Sequence, residues 1–309
     1  MSVKTFTVSY IQAIADAIRA KNGLTRSYKV SEMPEAILDI QSGNDLILLM
    51  TGSDSFNLDE DTVPTASTII PAYMFYSNQN IRNINYDTLV TIGNAAFQNS
   101  KVNKIILPGC TSVGASAFLG CAQLSGADID LQNCTSLGNN AFQNCNVSNP
   151  INSINLDKLL TIGDTCFQDS GFWKGSSNTA VLNLPKCTTI GARAFDATVS
   201  TWSNRFAEIH LPDVVDIGGT GSTSQVFRRG YCTNLYIGEH CTNIGTGLFY
   251  SGKVNNIYIE ATTPPTLRGA IGSDTSVVDH IYVPADSVDT YKAASNWSSY
   301  ASKIEAIPV

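Results

Sequence analysis

The sequence predicts a repeat solenoid, β-rich within the α/β class, wound as a right-handed coil around a parallel sheet and preceded by a small helical module. Three observations predict it. A unit Ile-Gly-x-x-Ala-Phe recurs through most of the chain, a short apolar-x-apolar strand recurs in the same phase, and every cysteine except Cys232 keeps that phase as well.

Composition allows such a fold. Of 309 residues, 43% are hydrophobic and only 15% charged, so a continuous core can form and the chain is too apolar for disorder. The net charge of −7, with Arg228-Arg229 the only adjacent basic pair, makes nucleic acid and anionic membrane surfaces poor partners. The longest apolar run, Leu46 to Met50, is far short of the roughly 20 residues that span a bilayer. Met1 to Lys4 leads into a charged amphipathic pattern and not a secretory leader.

Residues 1–43 read as two short helices, an N-terminal cap or a dimerising hairpin. Ser9 caps the first, with Ile11, Ile14, Ala15 and Ile18 on its apolar face and Gly23 past its end. Ser31 caps the second, with Pro34 in its first turn and Ile37 and Ile40 facing inward. Residues 44–66 form a linker and solenoid cap. Leu46 to Met50 reads as a buried strand, and Asp54, Asp59, Glu60 and Asp61 as a solvated polar loop without the glycine of a calcium loop.

The repeats occupy residues 67–284. Copies run from Ile92-Gly93 to Phe97, Val113-Gly114 to Phe118, Leu137-Gly138 to Phe142, Ile162-Gly163 to Phe167, Ile190-Gly191 to Phe195 and Ile244-Gly245 to Phe249. Ile70 to Phe75 is a degenerate first copy, and Ile217-Gly218 to Phe227 carries an insertion. The phenylalanines lie 22, 21, 24, 25, 28, 32 and 22 residues apart, the period of coils built from one strand and a helical or irregular return. The in-phase strands centre on Asn85, Ile106, Asp130, Asn155, Asn183, His210, Tyr236, Tyr258 and Tyr282, with apolar residues on either side. Alternation turns the flanking residues inward and the central one to solvent. Stacked about 4.8 Å apart, these strands predict one parallel sheet roughly 40 Å long. The repeat glycine allows a tight turn or a close backbone approach, and the phenylalanine fills the interior. Pro108, Pro185, Pro212 and Pro284 end strands, where a missing N–H costs little.

Cys110, Cys134, Cys187 and Cys241 each precede the Ile-Gly step by three residues, Cys121 and Cys145 follow a repeat phenylalanine by three, and Cys166 replaces the repeat alanine. A repeated position filled by Cys or by other residues is a packing position, which predicts buried free thiols, with disulfides between coils as the alternative. No Cys-x-x-Cys pair suggests zinc.

The Ile-Gly-x-x-Ala-Phe units and their proline-ended strands resemble the BspA-like leucine-rich-repeat family. The stretch from Ile281 to Tyr300 is similar to the end of such arrays, which implies a last strand and a capping helix over residues 285–309 that packs Trp297 and Tyr300. The segment Ile14 to Gly23, followed by Ser31 to Ile37, is similar to a helical module of phage and prophage tail proteins from Gram-positive bacteria. The first resemblance implies surface or matrix binding and supplies no catalytic residues. The second implies attachment to other tail proteins through residues 1–43, and by analogy a homotrimer.

No catalytic or cofactor motif stands out. His210, His240 and His280 are dispersed, and Gly218 to Ser222 lacks the lysine of a phosphate loop. Asp128 and Asp130 share a strand face but read as solvated. The binding candidates are the outward row Asp130, Asn155, Asn183, His210, Tyr236, Tyr258 and Tyr282. Tyrosine offers rigid contact area and a hydroxyl, although plain cross-strand packing would also favour it. Trp173 and Trp202, in the longer repeats, either bind or cover the solenoid edge. The expected function is therefore non-catalytic and without cofactor. It is recognition of a bacterial surface glycan or protein by a phage tail component in a virion, or alternatively by a BspA-like adhesin on a bacterial surface. A polysaccharide-degrading enzyme is the third reading.

Overall fold

A computed structural model describes residues 56–59, 68–124, 129–145, 156–171, 173, 176–198, 203–219, 221 and 223–308. The helical module of residues 1–43 and the strand expected at Leu46 to Met50 lie outside the described residues.

The chain is a β-solenoid with parallel sheets and little helix. Its one continuous sheet is built from the residues just before each repeat glycine. Nine two-residue strands, from Ile69–Ile70 through Thr161–Ile162 to Thr266–Leu267, pair in parallel, each with the equivalent strand of the next coil. Their second residues, including Ile92, Ile162 and Ile190, point into the core, and their first residues, except the buried Asn243, are at least partly exposed. The last of these strands was not anticipated, because its return passes through Ile271 and carries no phenylalanine.

The apolar-x-apolar segments form a second wall, described in two pieces. Phe56–Asp59, Ile81–Asn85, Lys104–Ile106 and Ile129–Asp130 make a four-stranded sheet. Ala180–Asn183, Arg205–Leu211, Tyr231–Ile237, Lys253–Ile259, Val278–Val283 and Ile304–Ala306 make a six-stranded one. The coil between them, with Asn155, lies outside the described residues. Phe56–Asp59 corrects the expectation of a polar loop at Asp59: backbone pairing with Ile81–Asn85 outweighs the local acidic composition.

The returns are turns, not helices. Each carries non-glycine residues in the left-handed region, such as Ala95 and Asn99, Asn140 and Asn144, and Thr165 and Asp169. These turns leave N–H groups pointing along the axis, where they donate to the next coil: Ala95 N to Ala115 O, Phe97 N to Ala117 O and Asn99 N to Leu119 O, at 2.7–2.8 Å. Apart from Gly218, at φ 89° before the insertion, the repeat glycine does not need a positive φ. It is required by close approach: a Cβ on Gly163 would sit 2.5 Å from the backbone nitrogen of Asn139 in the preceding coil. The side chain after the glycine then clasps the next coil, as when Asn139 Oδ1 accepts from Asp164 N at 2.9 Å.

The phenylalanines form one buried column. Phe75, Phe97, Phe118, Phe142, Phe167, Phe195, Phe227 and Phe249 stack with centroids 5.1–5.6 Å apart. Sequence gaps from 21 to 32 residues thus collapse to one rise, so the extra residues of the long repeats do not lengthen the stack and are expected to leave the core. Trp173 does not leave it, which corrects its reading as a binding residue. It is 1% exposed and meets Phe167 and Phe195 edge-on at 5.2 and 5.1 Å, because the wider coils there have interior volume to fill. Trp202 lies outside the described residues.

The C-terminal end is closed by aromatic side chains. The only α-helix among the described residues, Val288–Ala293, brings in Tyr291, whose hydroxyl donates to Ala261 O at 2.7 Å. A following 3-10 segment buries Trp297 and Tyr300. The indole N–H of Trp297 donates to Pro265 O, and the Tyr300 hydroxyl accepts from Ile271 N. Each polar tip thus finds an open backbone group of the last coil.

All eight cysteines are buried and free. Those before the Ile-Gly step repeat one contact, donating S–H to the carbonyl two residues on, as in Cys134 to Ser136 O at 3.3 Å. Burial pushes the thiols up, to about 11 for Cys110 and Cys121 and about 12 for Cys134, Cys187, Cys232 and Cys241. Because the thiolate is the nucleophile, a thiol-specific disulfide reagent at mildly alkaline pH is expected to leave the native protein untouched. It should titrate all eight groups in denaturant. Prompt reaction of the native protein would show an open core.

Candidate recognition face

Two kinds of position remain once the core is assigned: the outward residues of the continuous sheet, which are mostly Ser and Thr, and those of the second wall. The second wall carries the candidates. In its four-stranded part Asn85, Ile106 and Asp130 are in register. Asp130 turns its carboxylate to its own chain, accepting from Gln132 N at 3.1 Å. Asp128 lies outside the described residues.

In the six-stranded sheet the pairing places Asn183, His210, Tyr236, Tyr258 and Tyr282 in one column. From His210 onward these side chains stack. The centroids are 4.6 Å apart for His210–Tyr236, 4.9 Å for Tyr236–Tyr258 and 4.8 Å for Tyr258–Tyr282, with planes within 21° of parallel. All four rings are half-buried. Burial, then nearby Glu208 and Tyr258, raises the Tyr236 phenol above its ordinary value; burial, Glu305 and Tyr258 do the same for Tyr282. The phenols therefore stay protonated at physiological pH and can both donate and accept.

Sequence alternation missed the neighbouring columns. The long strands Arg205–Leu211, Tyr231–Ile237 and Lys253–Ile259 put two successive residues outward before the final in-out-in pattern. That irregularity creates a column of Glu208, Asn234, Asn256 and His280 beside the aromatic one. Polar partners lie close around it: His210 Nε2 is 2.8 Å from Glu208, Lys253 Nζ 2.7 Å from Asp279 and His280 Nδ1 3.2 Å from Glu305. The Arg205 guanidinium lies 3.7 Å from the centre of the Tyr231 ring, a cation–π contact. Glu305, in register with Tyr282, comes from the last strand, Ile304–Ala306. The Ile304-x-Ala306 alternation was its only sequence signal.

A family profile described as a BspA type leucine rich repeat region matches residues 53–174 and 172–275. This chain belongs to the BspA-type leucine-rich-repeat family. Among solved structures, this BspA-type protein matches a leucine rich cell surface protein from Faecalibacterium prausnitzii A2-165. The identity is 14%, the TM-score 0.36, and the match covers 83% of this chain and 89% of the other. No curated protein matches the chain. Among the described residues of this BspA-type protein, no three His, Cys, Asp or Glu side chains gather into a metal-binding group, and no helix is long and apolar enough to cross a membrane.

Proposed function

We propose that this protein is a non-catalytic recognition scaffold of the BspA-like adhesin type, displayed at a bacterial surface, and that the outward face of the six-stranded sheet holds the ligand. The stacked column of His210, Tyr236, Tyr258 and Tyr282 carries this reading. It is a preordered row of aromatic side chains facing solvent, and no described residue hydrogen-bonds the tyrosine hydroxyls. Rigid rings lose little entropy on binding and carry polar tips, the combination that concentrates affinity at recognition surfaces. Membership of the BspA-type family supports the adhesin reading.

Tyr236→Ala combined with Tyr258→Ala is expected to weaken binding of the fluorescently labelled protein to bacterial cells by about tenfold or more. The melting transition should move little, because the core beneath is intact. Undiminished cell binding by this variant would show that another face is used.

A second reading follows from the tail-protein resemblance of Ile14 to Ile37: the same face would serve a phage-like particle, with residues 1–43 as the attachment segment. Recovery of the protein in purified tail particles, lost on deleting residues 1–43, would select this reading. Its recovery with the cell envelope alone would select the adhesin.

A further inference from the structure

The ring column has a property that narrows its ligand. Aromatic sites that take sugars or bases by stacking offer a free ring face. Here both faces of Tyr236 and both faces of Tyr258 are occupied by the next rings, and Tyr282 lies between Tyr258 and the in-register Glu305. What faces solvent is ring edges and a row of phenol hydroxyls, one per coil, on rings whose centroids are 4.8–4.9 Å apart. Beside this row Asn256 Nδ2 donates to Asn234 Oδ1 at 2.9 Å, which leaves the Asn234 amide nitrogen and the Asn256 carbonyl oxygen for a ligand.

The ligand must supply hydrogen-bonding groups that repeat along the solenoid axis. An extended peptide repeats its same-side groups every two residues, about 6.6 Å, and would fall out of step within a coil or two. An extended, equatorially linked pyranose chain advances by about one coil per sugar and offers hydroxyls at every unit. Charge narrows the choice further. Around the row the carboxylates of Glu208, Asp279 and Glu305 stand against the two cations Lys253 and Arg205, with Lys253 paired to Asp279 and Arg205 over Tyr231. The face thus holds no surplus positive charge for an anionic polymer.

We propose that the hydroxyl row of Tyr236, Tyr258 and Tyr282, flanked by Asn234 and Asn256, binds an unbranched neutral polysaccharide laid along the solenoid axis, one sugar unit per coil. The proposal rests on the reading of this face as the recognition surface and names its ligand class.

The test is affinity electrophoresis of the full chain through a panel of soluble neutral glycans: β-1,4-glucan, β-1,3-glucan, β-1,4-mannan and β-1,4-galactan. At least one is expected to retard the protein, and binding of the matching oligosaccharides should tighten from the monosaccharide to the tetrasaccharide and change little with salt. The triple variant Tyr236→Phe, Tyr258→Phe, Tyr282→Phe keeps the stack and removes only the hydroxyls, so it should fold normally and bind about tenfold or more weakly. Absence of retardation by every glycan, wild-type affinity in the triple Phe variant, or affinity for the monosaccharide equal to that for the tetrasaccharide would each overturn the proposal. If no glycan binds yet the Tyr236→Ala, Tyr258→Ala pair still abolishes cell binding, the ligand is a protein: the glycan inference falls and the recognition face stands. If that pair binds cells normally, the face itself is wrong.

Discussion

Phe118→Ala is expected to lower the free energy of unfolding by about 3–5 kcal/mol. The ring is fully buried and lies between Phe97 and Phe142, with both centroid separations 5.2 Å. Truncation opens a cavity in the middle of a column. The neighbours cannot close over it, because their coils are held at a fixed rise by backbone bonds on either side, such as Phe97 N to Ala117 O and Phe118 N to Ala141 O. The lost apolar transfer and the unrelieved cavity therefore add. Each coil of a solenoid contacts only its neighbours, so the damage should be graded by distance. Urea unfolding measures the total, and hydrogen exchange should show the largest loss of protection in the coils carrying Phe97, Phe118 and Phe142. A loss under about 1 kcal/mol would mean that the coils can collapse, contrary to the ladder described.

Asp196→Ala is the second large effect, expected at about 3 kcal/mol or more. Asp196 is 0% exposed and accepts from Arg228 Nε at 2.7 Å, while the Arg228 side chain keeps 23% of its surface in solvent. The other carboxylate oxygen accepts from Gln168 Nε2 at 2.8 Å. Gln168 Oε1 in turn accepts from Gln143 Nε2, and Gln143 Oε1 from Asn140 Nδ2. A carboxylate can only accept, so Asp196 sets the direction of every amide in this chain. Its removal strands the Arg228 and Gln168 donors in the interior. Burial nevertheless raises the Asp196 carboxyl above its ordinary value, against the lowering effect of Arg228 and Gln168. The folded protein therefore holds this proton more tightly than the unfolded chain. Its contribution to stability is fully present below the unfolded value and declines as pH rises through the raised folded value. An apolar pair, Asp196→Leu with Arg228→Met, should accordingly be milder than Asp196→Ala when the variants are compared by urea unfolding at neutral pH. An Asp196→Ala protein as stable as wild type would remove this network from the account.

The position of Asp196 follows a repeat phenylalanine directly, as do Gln143 and Gln168. Its phase was therefore visible, but not its meaning. Gln143 precedes Gln168 by 25 residues, and only closure of the coil at a constant rise makes them neighbours. Trp173 shows the same limit from the other side. Its place in an insertion suggested exposure, but whether an inserted residue leaves the coil or fills it depends on the interior volume left between Phe167 and Phe195.

The sequence by itself determined the phase of the coil, the inward residues and the packing positions of the cysteines. These follow from in-out alternation and from one residue type returning at one position, which are local properties of the chain. It also pointed to Tyr236, Tyr258 and Tyr282 as outward and in phase. Tertiary structure alone decided that the Ile-Gly step carries a nine-stranded sheet and that glycines such as Gly93, Gly138, Gly163 and Gly191 answer to a backbone in the coil before and not to a turn. It also decided that the tyrosines stack face to face and so present hydroxyls in place of ring faces. Each of these depends on distances between coils, set by hydrogen bonds between residues twenty or more positions apart, which no local pattern encodes.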